Sequence, residues 1–282
     1  MLVNVIKDTL FDALKLVPFL FIAFLLMELF EHKKMDKFHK VLSKEGKYGP
    51  IVGGLLGAIP QCGFSVLVTN LYVFRIITLG TLISVYLSTS DEMLPILLSS
   101  RAPINSVLVI VISKIIFGII FGFIIDLIYK NKSNSNILDH HVCNSDNCDC
   151  EDSLIKSVII HIFKTLLYII IITFILNISF EVVGSKNISK LFLKNNPFAP
   201  FVSALVGLIP NCGSSIAITE LYLNNVITIG TCIGGLLTGS GIGLLILFKN
   251  NKNIKENISI MILLYLIGSI LGTIINLVGV SI

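Results

Sequence analysis

The chain carries one stretch twice. Residues 50–97 and 200–247 align without a gap at an offset of 150, and 22 of the 48 positions are identical. The shared positions are not merely apolar. Pro60/Pro210, Cys62/Cys212, Gly63/Gly213, Ser65/Ser215, Thr69/Thr219, Tyr72/Tyr222, Thr78/Thr228 and Ser90/Ser240 all keep their residue. A fold built from two homologous halves follows. Helix-breaking and polar residues at matched places of the two halves mark the region where a binding site forms between them.

Composition says what solvent the halves meet. Hydrophobic residues make up 54% of the 282 and charged residues 13%, with a mean hydropathy of +0.91. A water-soluble domain carries about 25% charged residues, so this chain has too little charge to cover a surface facing water. Apolar runs stand at 10–31, 50–74, 76–99, 103–129, 154–180, 200–223, 226–248 and 258–282. Each is near or above the roughly 20 residues that cross hydrocarbon as a helix. A soluble bundle would show polar faces at helical period, and these runs show almost none. The chain reads as an all-α polytopic membrane protein of 8–10 transmembrane segments. Residues 1–130 form the first repeat, 131–152 a linker, and 153–282 the second repeat. The first run lacks a small-residue cleavage site and ends in Glu28, Glu31 and His32, so it reads as a mature span rather than a signal peptide.

Lysines bear on orientation. Six lie between residues 32 and 49; Lys186, Lys190 and Lys194 follow the fifth run, and Lys249, Lys252 and Lys255 follow the seventh, whereas 130–152 is net acidic. Eight full crossings would put every lysine-rich loop in the cytoplasm and make the halves parallel, and charge bias favours that arrangement. The competing arrangement treats 50–60 and 63–74 as half-spans of a re-entrant hairpin. Each half then crosses an odd number of times, the repeats are inverted, and the linker faces the cytoplasm.

The break itself reads Ile59-Pro60-Gln61-Cys62-Gly63-Phe64-Ser65 and Ile209-Pro210-Asn211-Cys212-Gly213-Ser214-Ser215. Proline removes a donor and clashes with the preceding turn, and glycine permits non-helical dihedrals. Unwound backbone survives at membrane depth only inside protein or beside a water-filled cavity. Pro60, Gly63, Pro210 and Gly213 are thus the expected break. Cys62, Cys212, Gln61, Asn211, Ser65 and Ser215 are the expected ion ligands. The plain alternative is a packed proline kink whose cysteine behaves as a small hydrophobe.

A second polar insertion, Leu87-Ser88-Thr89-Ser90-Asp91-Glu92-Met93, places adjacent carboxylates in an apolar run, and intramembrane carboxylates are functional by default. Its counterpart, Leu237-Thr238-Gly239-Ser240-Gly241-Ile242-Gly243, has glycines instead. One half would supply charge and the other close approach, with Ser90, Asp91, Glu92 and Ser240 in one asymmetric site. A loop between two short helices is the alternative. Glu220, matched by Asn70, either completes the shell or sits at the membrane interface.

The linker concentrates His140, His141, Cys143, Cys148 and Cys150 with five carboxylates between Asp139 and Asp152. Its composition is that of a flexible metal-binding tract, although C-x4-C-x-C matches no structural zinc knuckle. Three thiols suit thiophilic ions such as As(III), Zn(II) or Cu(I). In an oxidising compartment they would instead form a disulfide.

Two halves bearing P-[QN]-C-G-x-S, an acidic S-T-S-D-E stretch and a His/Cys linker resemble the ten-transmembrane heavy-metal exporter family, whose members are described as arsenic efflux proteins or manganese transporters. The resemblance covers essentially the whole chain. It implies efflux of a metal or metalloid driven by an ion gradient, and ten spans if each half contains one run broken in two.

The expected function is therefore a secondary transporter of the cell (inner) membrane. Its cargo would be a divalent transition metal such as Mn(II), favoured by carboxylate and amide oxygens, or a thiophilic species such as arsenite. Binding would occur near the midplane between the repeats, with export by alternating access. No Walker or D-K-T-G motif is present, so ATP hydrolysis is not expected. No resident cofactor is expected beyond the transported ion. The partners are the ion and the bilayer, without nucleic acid, and homo-oligomerisation stays open. The alternative is an intramembrane thiol oxidoreductase or cysteine-based enzyme, disfavoured because neither Cys62 nor Cys212 has a CxxC partner.

Overall fold

The computed structural model of the protein describes residues 48–59, 62–90, 93–100, 102–129 and 198–278, with isolated helical positions at 17, 21, 163, 166, 167, 170, 171 and 174. Among the described residues the chain is helical throughout and holds no strand. Ten helices follow in order. They are α1 (Gly49–Gly57), α2 (Cys62–Val73), α3 (Leu79–Ser88), α4 (Met93–Ser99), α5 (Ile104–Tyr129), α6 (Ala199–Gly207), α7 (Cys212–Leu223), α8 (Ile229–Thr238), α9 (Gly243–Asn250) and α10 (Ile254–Val278). Helices α6 to α10 each begin 150 residues after α1 to α5.

Local chemistry sets the same boundaries in both sets. Pro50 and Pro200 stand in the first turns of α1 and α6, where a missing N–H costs nothing. Helices α2 and α7 end in matched Schellman turns. Arg75 N–H donates to Tyr72 O at 2.8 Å and Ile76 N–H to Leu71 O at 2.9 Å; Asn225 donates to Tyr222 at 3.0 Å and Val226 to Leu221 at 2.9 Å. The turn requires a left-handed residue, supplied by Arg75 (φ 59°) and Asn225 (φ 54°). Helices α3 and α8 start at Thr78 and Thr228, whose hydroxyls accept from the N–H groups of Thr81 and Thr231 at 3.2 and 3.3 Å.

The long helices show the solvent. Ile112, Ile116, Ile120 and Ile124 form an exposed stripe on α5, and Ile262, Leu266, Ile270 and Ile274 repeat it on α10. Four-residue spacing puts each stripe on one face. Faces this apolar mark contact with hydrocarbon rather than water. Among the described residues three stretches are long and apolar enough to cross a membrane: Ile104–Tyr129, Ile254–Val278 and Ile229–Asn250, the last taken across its break. The protein is a multi-pass membrane protein.

Contacts give the directions. Ser84 donates to Pro50 O at 2.6 Å, and a Cβ added at Gly57 would stand 2.7 Å from Val85 O, so α1 and α3 ascend together. Helix α2 joins α3 by the turn at 74–78 and meets it through a Thr69–Tyr86 hydroxyl bond of 2.6 Å, so it descends. Residues 50–73 therefore run out and back rather than crossing. Helix α5 descends beside α3, with Asp126 at Gly80 and Gly118 at Ser84. In the second set α8 is antiparallel to α10, with Gly230 at Asn276 and Gly234 at Gly268.

The two sets also pack on each other. Gly243 abuts Ser65 and Thr69, Asn250 donates to Asn70 at 2.7 Å, and Glu256 reaches Tyr72 and Arg75. Helix α9 thus descends alongside α2, and α10 rises from the face at which α5 ends. Helices α3 and α8 run in opposite senses. Each short fourth helix packs on the other set's second helix, α9 on α2 and α4 on α7.

Small residues allow the inner helices to close. A Cβ on Gly118 would lie 2.8 Å from Ser84 O, on Gly122 2.7 Å from Gly80 O, and on Gly234 2.9 Å from Gly268 O. Bare backbone at these crossings is the usual device for packing helices where lipid offers no hydrophobic drive.

Candidate functional site

Four interruptions separate the short helices. The break at 208–211 is described in full. Helix α6 stops at Gly207, Pro210 cannot supply an amide to the turn, and Asn211 is extended at φ −148°, ψ 146°. The carbonyls freed there are bonded at once: Ser214 Oγ donates to Asn211 O at 2.7 Å and to Ile209 O at 3.1 Å. Asn211 itself is buried. Ser214 escaped the sequence reading because its counterpart is Phe64; a hydroxyl three residues after an intramembrane Asn was the available signal.

One expectation is corrected here. Gly63 and Gly213 were expected to relax the backbone, but they occupy the first turns of α2 and α7, in helical conformation. The unwinding falls before the cysteine because proline and the extended Asn211 already end the preceding helix. The described glycine with positive φ is Gly241, at 56°, in the break between α8 and α9. That position demands the left-handed conformation only glycine adopts cheaply.

Every residue of the break at 239–242 is buried. Ser240 is 1% exposed, and its hydroxyl has no hydrogen-bond partner among the described residues. A buried hydroxyl left unpaired costs roughly 1–3 kcal/mol, so it signals a missing partner. Ser215 Oγ lies 3.5 Å from where a Cβ on Gly239 would stand, and Ser65 Cβ lies 3.1 Å from the corresponding point at Gly243. Ser215 thus meets the start of the unwound segment that holds Ser240, and Ser65 meets the first residue of α9 just after it, a serine from each hairpin.

The matching break after α3 holds Thr89 and Ser90, both buried, with Ser90 Oγ donating to Ser88 O at 3.1 Å. Across it lies a group the sequence reading missed. Lys114 of α5 is 1% exposed, and its ammonium donates to the carbonyl of Thr89 and, at 2.8 Å, to that of Leu236. A lysine inside a 26-residue apolar helix was the signal that could have found it.

Other expected residues fall elsewhere. Glu220 is exposed on α7, whereas its counterpart Asn70 is buried and bonded to Asn250. Pro60, Gln61, Asp91, Glu92 and the thiols of Cys62 and Cys212 lie outside the described residues, as do His140, His141, Cys143, Cys148 and Cys150. Among the described residues no group of three His, Cys, Asp or Glu side chains gathers as a metal site.

What remains is a buried polar layer of serines, unwound carbonyls and one ammonium, enclosed by apolar helices. The model of a family described as a putative, 10TM heavy-metal exporter matches residues 1–182. No curated protein and no solved structure matches the chain. The chain belongs to this heavy-metal exporter family.

Proposed function

Starting from that membership, we propose that the protein exports a metal or metalloid ion across the cell membrane by alternating access, driven by an ion gradient. The site lies between two inverted repeats, 1–130 and 153–282, each made of an opening span (10–31 or 154–180), a re-entrant hairpin, a broken span and a full span. The opposed directions of α3 and α8 and the exchanged packing of α4 and α9 support inversion.

The observation that carries this reading is the break at 239–242. Its buried Ser240 hydroxyl has no hydrogen-bond partner among the described residues, and Ser215 and Ser65, one from each hairpin, approach Gly239 and Gly243 on either side of it. Unwound backbone at the meeting of two broken helices is where inverted-repeat transporters hold their cargo. Cys62, Cys212, Gln61 and Asn211 at the hairpin tips, with Asp91 and Glu92 after Ser90, complete the proposed ligand set. Carboxylate and amide oxygens favour a divalent cation such as Mn(II); paired thiols favour arsenite.

Inversion also points to a side. Tyr48, Arg75, Tyr129 and Asn253 then share a face, which carries the cluster Lys249, Lys252 and Lys255, as expected for a cytoplasmic face. The linker after residue 130 starts from that face. In a reducing compartment its cysteines stay thiols and suit metal capture.

Growth of a metal-sensitive bacterium expressing the chain tests the reading. Under Mn(II), Fe(II), Zn(II) or arsenite, resistance with lowered cellular content of one of them is expected. Cys62→Ser and Cys212→Ser are expected to remove that resistance with membrane levels unchanged. Unaltered content for all four ions would overturn it.

A further inference from the structure

Helices α2 and α9 meet along a polar seam that runs from the break at 239–242 to the face carrying Arg75. Its inner end is tight: a Cβ added at Gly243 would stand 2.8 Å from Tyr86 Cε1 and 3.1 Å from both Ser65 Cβ and Thr69 Oγ1. Thr69 Oγ1 donates to Ser65 O at 2.5 Å and so accepts from the Tyr86 hydroxyl at 2.6 Å. Nearer the face, Asn250 Nδ2 of α9 donates to Asn70 Oδ1 of α2 at 2.7 Å. Beyond Asn70, Tyr72 and Arg75 bond to Glu256 and end the seam.

One donor in this seam is left over. Asn70 is 2% exposed, and its Nδ2 has no hydrogen-bond partner among the described residues. Asn250 already occupies Oδ1, so what the amide lacks is an acceptor for its N–H groups. Leaving a buried donor without an acceptor is costly, and such groups are rare enough to need a reason. Packing inherited with the repeat is not that reason. The residues 150 positions away are Glu220, which is exposed, and Ser100, so the amide pair is not repeated.

We propose that the exported ion passes between the cytoplasmic face and the 239–242 break along the α2–α9 seam, and that the Asn70 amide is a binding station on that path. The inference rests on the exporter reading above. An amide N–H recognises an oxygen lone pair. The station therefore holds the cargo through oxygen, either a hydroxyl of arsenite or a water or hydroxide carried by a divalent metal. Asn250 fixes the plane of the amide by holding Oδ1, which leaves the N–H groups for the cargo. A single neutral amide suits a waypoint, because a path needs binding strong enough to admit an ion and weak enough to release it. Tyr72, Arg75 and Glu256 lie between Asn70 and the face, so their contacts part before the seam admits cargo.

The test uses the full chain in inverted and right-side-out vesicles, with Mn(II), Zn(II) and arsenite as probes. Inverted vesicles present the probe to the cytoplasmic face, and right-side-out vesicles present it to the other. For each probe that the wild-type chain moves, Asn70→Ala should raise the half-saturating concentration in inverted vesicles by roughly fivefold or more, the shift expected from one lost hydrogen bond. The maximal rate should hold, as when only a ground-state contact is removed. In right-side-out vesicles neither value should change. Asn70→Asp separates the two oxygen sources. It keeps the acceptor for Asn250 and exchanges the free donor for a negative oxygen, so arsenite should bind more weakly and a divalent metal more tightly. A smaller shift than this in a membrane-inserted Asn70→Ala protein, as when the amide holds only water, overturns the proposal and leaves the exporter reading standing. Equal shifts from both faces overturn it too. If Asn70→Ala does not accumulate in the membrane, wild-type values in Asn70→Asp overturn it equally, and failure of both variants to accumulate makes Asn70 a packing residue and overturns it as well. A wild-type chain that moves none of the three probes overturns the exporter reading and this inference together.

Discussion

Arg75 lies fork-to-fork on Glu256, with Nη1 to Oε1 at 2.8 Å and Nη2 to Oε2 at 2.9 Å. The pair joins the turn after α2 in the first half to the first turn of α10 in the second. Tyr72 adds its hydroxyl to the same carboxylate, and the guanidinium sits 5.2 Å from the Tyr72 ring centre. Hydrogen bonding to Glu256 holds Arg75 above its ordinary range, so it stays charged at any physiological pH. The positions related by 150 residues are Asn225, Ser106 and Tyr222, which cannot form an ion pair. One face of the protein is thus latched by charge, and the repeat-related residues of the other are not.

Breaking the latch should loosen that face with little loss of stability. Arg75 is half exposed, so the pair contributes about 1 kcal/mol or less, roughly a fivefold shift in a two-state equilibrium. Glu256→Ala should raise the labelling rate of an Asn70→Cys reporter by about that factor, and the swap Arg75→Glu with Glu256→Arg should bring it back. Equal labelling in all of these variants would remove the latch.

Ser240→Ala separates a ligand from a packing residue. Deleting an unpaired buried hydroxyl should leave thermal stability unchanged or raise it by up to about 1 kcal/mol. Metal efflux should nevertheless fall at least severalfold. Wild-type efflux in a stable Ser240→Ala protein would count against the site at 239–242.

Gly118→Val should cost about 1–3 kcal/mol, because even a Cβ there stands 2.8 Å from the Ser84 carbonyl and the helices must separate. Ile120→Ala, two residues along but facing lipid, should move stability by no more than about 0.5 kcal/mol. Thermal unfolding in detergent compares the two, and similar midpoints would refute the tight α3–α5 crossing.

Asp126 accepts from Thr78 Oγ1 at 2.7 Å and from Gly80 N at 2.8 Å, at the start of α3. Asn276 meets Thr228 at the equivalent place in the second half, its Oδ1 accepting at 2.7 Å. Asp126→Asn should therefore be tolerated within about 1 kcal/mol, while Asp126→Ala, which strands the Gly80 amide, should cost about 1–2 kcal/mol. The difference between their unfolding midpoints measures the amide's need for an acceptor.

Replacing Cys143, Cys148 and Cys150 by serine should leave the maximal efflux rate intact and raise the half-saturating metal concentration, if the linker captures rather than transports. A lost maximal rate would place those thiols in the transport path.

Much of this was legible in the chain. Residues shared at a 150-residue offset set matched helix boundaries, because Pro50/Pro200 and Thr78/Thr228 act locally and are themselves repeated. The apolar runs identify the hydrocarbon-facing helices, since four-residue spacing alone puts Ile112 to Ile124 on one face. Ser65, Ser215 and Ser240 were recognisable as polar residues lipid would not tolerate.

Direction was not legible. Whether residues 50–73 cross or turn back depends on whether Gly57 meets Val85 and Ser65 meets Gly243, contacts between residues far apart in sequence. Lysine counting favoured full crossings because charge reports which side a loop occupies, not how many helices lie between loops. Lys114 escaped notice for the same reason. An ammonium in an apolar helix is tolerable only where two distant carbonyls converge, and that convergence arises when the halves pack in opposite senses.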